Sequence, residues 1–179
     1  MKKKVLIISS SPRAEGNSEI LCNHFKKGAE EAGHQVEQIA LRDKHIQYCN
    51  GCGVCAEQQQ PCPLQDDAAE IVQKMIDANI IVLATPVYFC MMSAQMKTLI
   101  DRCCARYTEI KDKDFYYILT AAEDDEEDIQ PAIDGFRAFL TCLDTPTEQP
   151  YICGLGVHKK GEIENSDVCK EAYLRGLYA

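Results

Sequence analysis

The chain has 179 residues, 46% hydrophobic and 26% charged, with a formal net charge of −9 at pH 7. That is enough apolar material for one domain over residues 1–179 and short for two. The charge excludes a general nucleic-acid binder, whose ligand calls for a basic face, and no apolar run is long enough to span a bilayer.

The basic start Met1-Lys2-Lys3-Lys4 runs into an apolar stretch too short for a signal peptide, so the expectation is a cytoplasmic protein without membrane or nucleic-acid partners. That stretch, Val5-Leu6-Ile7-Ile8, reads as a strand covered on both faces. A helix over Ser18–Ala32 places Leu21, Phe25 and Ala29 on one face and ends at Gly33, a natural C-terminal cap. Val36–Leu41 alternates as a second strand. Residues 42–66 then form a long excursion with little periodicity, which in a compact domain is usually functional or disordered. Asp67-x-x-Glu70 is a capping-box signal for a helix carrying Ile71, Val72, Met75 and Ile76. Ile80–Ala84 is a third, almost wholly apolar strand. Ser93 is placed to cap a helix with Met96, Leu99, Ile100 and Cys103 on its face. Phe115–Thr120 is a fourth strand, and the acidic run Glu123–Asp128 reads as a solvated loop. A helix over Pro131–Leu143, a short strand near Tyr151–Cys153 and a helix over Val168–Leu177 complete the pattern. Alternating strands and helices specify an α/β domain with a parallel sheet.

In doubly wound sheets, ligands bind where loops leave the carboxyl ends of the strands. The first such loop, "SSSPRAEGNS", suits a phosphate monoester. Ser9, Ser10, Ser11, Asn17 and Ser18 offer donors, Gly16 lets the backbone approach, Arg13 adds charge, and a helix N-terminus follows. It matches neither the dinucleotide nor the P-loop glycine pattern. The third strand continues into "TPVYFCMMSAQMKTLIDR", where Pro86 stiffens a loop presenting Tyr88 and Phe89 to the same edge.

These two stretches together resemble the NAD(P)H-dependent FMN reductase branch of the flavodoxin-like superfamily, over roughly Lys4 to Gly161. The four cysteines packed into "YCNGCGVCAEQQQPCP", Tyr48 to Pro63, narrow the resemblance to the iron-sulfur flavoproteins. The resemblance implies a three-layer sandwich with a five-stranded parallel sheet in the order 2-1-3-4-5. It implies FMN held by its phosphate on Ser9, Ser11, Arg13, Gly16, Asn17 and Ser18. Pro86, Val87, Tyr88 and Phe89 would line the ring and ribityl chain, with Thr120 and Ala121 approaching the ring. "GLGVHKKGEI", Gly154 to Ile163, looks like the family's fifth-strand ending. It also implies NAD(P)H as co-substrate, a flavin, quinone or similar small-molecule acceptor or a redox protein as partner, and a homodimer or larger assembly. Hydride transfer to a flavin needs no protein acid or base, so no catalytic side chain is assigned.

Eleven cysteines, an odd number, do not suggest a disulfide scaffold in such a chain. The scattered ones, Cys22, Cys90, Cys103, Cys104, Cys142, Cys153 and Cys169, read mostly as small buried hydrophobes. The remainder are spaced Cys49-x2-Cys52-x2-Cys55-x6-Cys62, followed by Pro63. A tight C-x2-C-x2-C loop can offer three thiolates to one face of a cubane cluster, with a more distant cysteine reaching the fourth iron. Three readings stay open: a [4Fe-4S] cluster, free thiols, or a structural zinc, for which two separated pairs are more typical. Function divides the same way. An oxidoreductase turning over a small acceptor stands against a relay between protein partners and a redox sensor built on reversible disulfides.

Overall fold

The computed structural model describes residues 1–179. In chain order its strands are β1 (Lys4–Ser9), β2 (Gln35–Ala40), β3 (Ile80–Tyr88), β4 (Met91–Met92), β5 (Asp114–Thr120), β6 (Thr147–Glu148) and β7 (Ile152–Gly154). Its helices are α1 (Asn17–Glu31), α2 (Val54–Glu57), α3 (Ala68–Asp77), α4 (Ala94–Arg102), α5 (Gln130–Leu140) and α6 (Asp167–Leu177).

β1 pairs in parallel with β2 and β3, and β3 with β5. The fifth position is shared: β6 lies beside the start of β5 and β7 beside its end. The expected order 2-1-3-4-5 is therefore realised with a broken last strand. The break contains Pro150, which has no N–H to give to a ladder.

Alternate residues of each strand feed opposite layers. On β1, Val5 and Ile7 join Leu21, Phe25 and Ala29 of α1 and Ala172 of α6. Leu6 and Ile8 join the layer of Ile71 and Met75 from α3 and Met96 and Leu99 from α4. Neighbouring tyrosines of β5 divide likewise. Tyr116 meets Phe25 edge-on at 5.1 Å, and Tyr117 stacks on Phe136 of α5 at 4.8 Å. α1 and α6 approach through glycine: a Cβ on Gly28 would stand 2.0 Å from the Tyr173 carbonyl oxygen, and one on Gly176 2.0 Å from that of Phe25.

The end of α1 follows the sequence expectation. Gly33 takes a φ of 87°, its N–H donates to the Glu30 carbonyl, and the His34 N–H donates to that of Ala29. That is a Schellman closure. Other expectations need correction. Asp67 does not cap α3 with its side chain; Asp66 Oδ1 accepts from the Ala68 N–H at 3.0 Å instead. Ser93 does not cap α4 either, since its hydroxyl donates to Ser10 Oγ at 2.8 Å. α5 ends at Leu140, short of Leu143, which still packs in the core. β3 runs on to Tyr88 and folds back as β4 through Phe89 and Cys90, a hairpin the sequence did not signal. Of the scattered cysteines only Cys22, Cys103 and Cys169 are buried. Cys153 is half-buried, and Cys90, Cys104 and Cys142 are exposed. No helix is long and apolar enough to cross a membrane.

Candidate functional site

The loops leaving the carboxyl ends of β1, β3, β5 and β7 enclose a cavity of about 490 Å³, within the usual range for small-molecule and cofactor sites. Ser11, Arg13, Asn17 and Ser18 line one side; Pro86, Val87, Tyr88, Phe89 and Cys90 line another. Thr120 to Glu123 and Val157 with His158 close the rest.

Hydrogen bonds fix the first loop. Ser10 Oγ donates to the Ala84 carbonyl at 3.0 Å and accepts from Ser93 Oγ, tying the end of β1 to β3 and to the start of α4. Ser11 Oγ accepts from the Arg13 N–H at 3.2 Å and turns the chain. A Cβ on Gly16 would lie 2.9 Å from Ser11 Oγ and 3.1 Å from the Arg13 carbonyl oxygen. Gly16 therefore shapes the turn without lining the cavity. No side chain caps α1. Its first-turn amides, with the positive end of the helix dipole, are left to serve an anion. Ser9 is fully buried at the end of β1, and its Oγ has no hydrogen-bond partner. It does not line the cavity.

Asn17 has a role that local sequence does not reveal. Its Nδ2 donates to the Lys159 carbonyl at 2.9 Å, and its Oδ1 accepts from the Gly161 N–H at 3.0 Å. Arg13 Nη1 donates to the His158 carbonyl at 3.0 Å. Ser18 Oγ and Thr120 Oγ1 share a hydrogen bond of 2.6 Å. The loops after β1, β5 and β7 are thus joined across the cavity before any ligand arrives. Val157, His158 and Cys90 join the lining without having been named as site residues. The "GLGVHKKGEI" stretch was the signal for the first two.

The opposite wall is the β3–β4 hairpin. Phe89 and Cys90, its two central residues, have φ of 50° and 61°. Tight hairpins need positive φ at both positions, and Asn-Gly normally supplies it. A bulky aromatic there carries backbone strain of order 1–3 kcal/mol. The strain puts the Phe89 ring fully into solvent at the cavity mouth, while Tyr88 remains half-exposed beside it. The Thr85 hydroxyl accepts from the Ser93 N–H at 2.9 Å and pins the hairpin base. Hydroxyls, a guanidinium and a helix N-terminus at one end, with Pro86, Val87 and Tyr88 at the other, fit a phosphate monoester on a flat ring. The acidic run is exposed as expected, and its first member, Glu123, reaches the cavity.

A second, mostly apolar cavity of about 1080 Å³ adjoins the first and shares Tyr88 with it. Met91, Met92, Ile100 and Phe139 line it, together with Cys49, Cys103 and Cys104.

The cysteine excursion leaves β2 at the same sheet edge. Gly51 and Gly53 have φ of 65° and 75°, so glycine there serves the tight wrapping its position suggested. Cys49 and Cys52 are exposed, and Cys55 and Cys62 are half-buried. No group of three or more His, Cys, Asp or Glu side chains is arranged to hold a metal ion. The four thiols, as placed, do not form a ligand set.

What anchors the excursion is a buried ion pair. Arg102, the last residue of α4, donates to both carboxylate oxygens of Asp66, at 2.6 and 3.1 Å. The two side chains are 2% and 0% exposed. Arg102 also donates to the Gln47 carbonyl at 2.9 Å and to Cys62 Sγ at 3.5 Å. Asp66 accepts in addition from the Gln47 N–H at 2.9 Å. Burial opposes ionisation of Asp66. The Arg102 hydrogen bonds and charge, with the Gln47 and Ala68 amides, outweigh it and hold the carboxyl below its ordinary value.

A protein named iron-sulfur flavoprotein from Methanocaldococcus jannaschii is 46% identical over 99 residues, which are 55% of this chain and 51% of the relative. One from Methanosarcina thermophila is 35% identical over 99 residues, with the same shares. The chain spans about half the length of these relatives. Among solved structures, an NAD(P)H:quinone oxidoreductase from Methanothermobacter marburgensis superposes with a TM-score of 0.73 at 17% identity, covering 99% of this chain and 96% of that one. An FMN-dependent NADH-azoreductase from Bacillus anthracis, solved in complex with FMN, gives 0.72 at 19% identity, covering 98% and 96%. At such identities the likeness is one of fold, and that fold is flavodoxin-like. The family model for NADPH-dependent FMN reductases matches residues 3–129, and the chain belongs to that family.

Proposed function

We propose that the chain binds FMN in the 490 Å³ cavity and uses it to oxidise NAD(P)H and reduce a small acceptor such as a free flavin or a quinone. One observation carries the reading: the uncapped N-terminus of α1 faces a cavity that pairs hydroxyls and Arg13 with the aromatic hairpin of Tyr88 and Phe89. Ser11, Arg13 and Ser18 hold the phosphate, with the α1 amides. Asn17 holds the residue 157–163 loop in place behind them. Pro86, Val87 and Tyr88 flank the ring and exclude water from one side of it. When bound, FMN supplies the two-electron chemistry. The chain positions it and sets its electrostatic surroundings, with Arg13 and Glu123 both lining the cavity.

The spacing Cys49-x2-Cys52-x2-Cys55-x6-Cys62 and the names of the relatives support a [4Fe-4S] cluster on the excursion. The thiols would have to gather on metal binding, which would then contribute directly to the local fold.

Steady-state kinetics test the enzymatic reading. Protein loaded with FMN is expected to oxidise NADH or NADPH continuously when a soluble quinone or free flavin is supplied. Reduction of the bound flavin once, with no turnover in either acceptor, would favour a relay between protein partners and contradict the proposal.

A further inference from the structure

Ser93 sits where the returning strand β4 meets α4, with an extended backbone (φ −59°, ψ 151°) and no side-chain cap to the helix. A serine in that position normally turns its oxygen to a first-turn amide. Here the residue donates twice in other directions. Its hydroxyl donates to Ser10 Oγ at 2.8 Å, and Ser10 Oγ donates on to the Ala84 carbonyl at 3.0 Å. Its N–H donates to Thr85 Oγ1 at 2.9 Å, and that hydroxyl donates on to the Pro86 carbonyl at 2.8 Å. Ser10, Thr85 and Ser93 are all buried, and none of them lines the cavity. Buried hydroxyls destabilise a fold unless they find partners, and all three find them here.

The relay lies between the two halves of the flavin site. β1 and β3 pair as far as Ser9 and Ala84, and the Ser10 N–H adds one bond to the Ala84 carbonyl at 2.9 Å. From there Ser11 enters the wall with the phosphate donors, and Pro86 enters the wall of the hairpin. Each half is also fixed from within. Ser11, Arg13 and Gly16 shape the first loop, and Val87 pairs with Met92 in the hairpin. The Ser93 hydroxyl bonds one half to the other.

We propose that Ser93 is a positioning residue: through Ser10 and Thr85 it sets the spacing between the phosphate loop and the ring wall. This rests on the FMN reading of the cavity. A ligand that engages both walls gains from their being held at the right separation in advance, because its second contact then forms at a high effective concentration. A ligand that engages one wall gains nothing from the link. Loosening the link therefore weakens FMN and spares riboflavin, which lacks the phosphate.

The experiment titrates flavin-free wild-type, Ser93→Ala, Ser10→Ala and Ser10→Ala/Ser93→Ala proteins with FMN and with riboflavin. Losing one net hydrogen bond corresponds to roughly threefold to tenfold in affinity. FMN affinity is expected to fall by that factor in Ser93→Ala, with riboflavin affinity unchanged. Ser10→Ala should show the same selective loss. The double variant should be little worse than Ser10→Ala, because both substitutions break one relay. A Ser93→Ala protein that loses both ligands in equal proportion, or keeps the wild-type preference for FMN, would overturn the inference. So would a double variant in which the two losses add. Equal binding of FMN and riboflavin by the wild type would instead remove the phosphate reading, and this inference with it, so the wild-type ratio tells the two failures apart.

Discussion

Asp66→Asn lowers the stability of the protein by about 3–5 kcal/mol, because it leaves the buried Arg102 guanidinium without its counter-charge. Arg102 Nε already has no partner, and both side chains are shut away from water. For a chain of this size the loss corresponds to a fall in Tm of roughly 10 °C. Thermal unfolding of the variant at neutral pH measures it. The double variant Asp66→Asn/Arg102→Met separates charge burial from lost packing. It should recover part of the loss, since the unpaired cation is gone; a double variant no better than the single one refutes the explanation. Acid offers an independent check. The folded-state pKa of Asp66 lies below the ordinary value of 3.8. The ion pair's contribution is therefore fully present above about pH 4 and is lost as pH falls through the lower folded value. The wild type should lose this stability on acidification over that range, and Asp66→Asn should not.

Replacing Asn17 and Ser18 together with Ala lowers the affinity for FMN at least about tenfold. Hydrogen bonds to a charged phosphate contribute roughly 1.5–3 kcal/mol each, and about 1.4 kcal/mol is a factor of ten. The two residues act differently. Ser18 faces the cavity from the first turn of α1, where its hydroxyl also meets Thr120. Asn17 secures the loop that carries Val157 and His158. Ser18→Ala alone should weaken FMN and lower the unfolding temperature by the loss of its buried hydrogen bond to Thr120, whereas Asn17→Ala should weaken FMN and loosen the residue 157–163 loop. Titration monitored by flavin fluorescence, with thermal unfolding alongside, reads both. A double variant that binds FMN as the wild type does would mean that the phosphate sits elsewhere.

The framework was readable in sequence wherever one local pattern decided the outcome. Val5–Ile8 and Ile80–Ala84 are apolar because both faces of the central strands are covered. Gly33 ends α1 because only a residue at ease with positive φ closes that helix. The phosphate loop was readable because hydroxyls, glycine and a helix start lie together in one short segment. What escaped depends on residues far apart in the chain. Asn17 meets residues 159 and 161, and Arg102 meets Asp66. Such pairs follow from topology, which periodicity does not report. The β3–β4 hairpin escaped for another reason: Phe89-Cys90 is not a turn sequence, and the fold imposes positive φ on it against local preference. Asp66 rather than Asp67 caps α3 because its second oxygen is held by Arg102, a constraint that a capping-box pattern cannot see.

The central claim is that the cavity holds FMN by its phosphate. Parallel titrations of flavin-free wild-type protein with FMN and with riboflavin test it most directly, because the two ligands share the ring and differ by the phosphate. FMN is expected to bind roughly tenfold more tightly than riboflavin, or better. Riboflavin binding as tightly as FMN would contradict it.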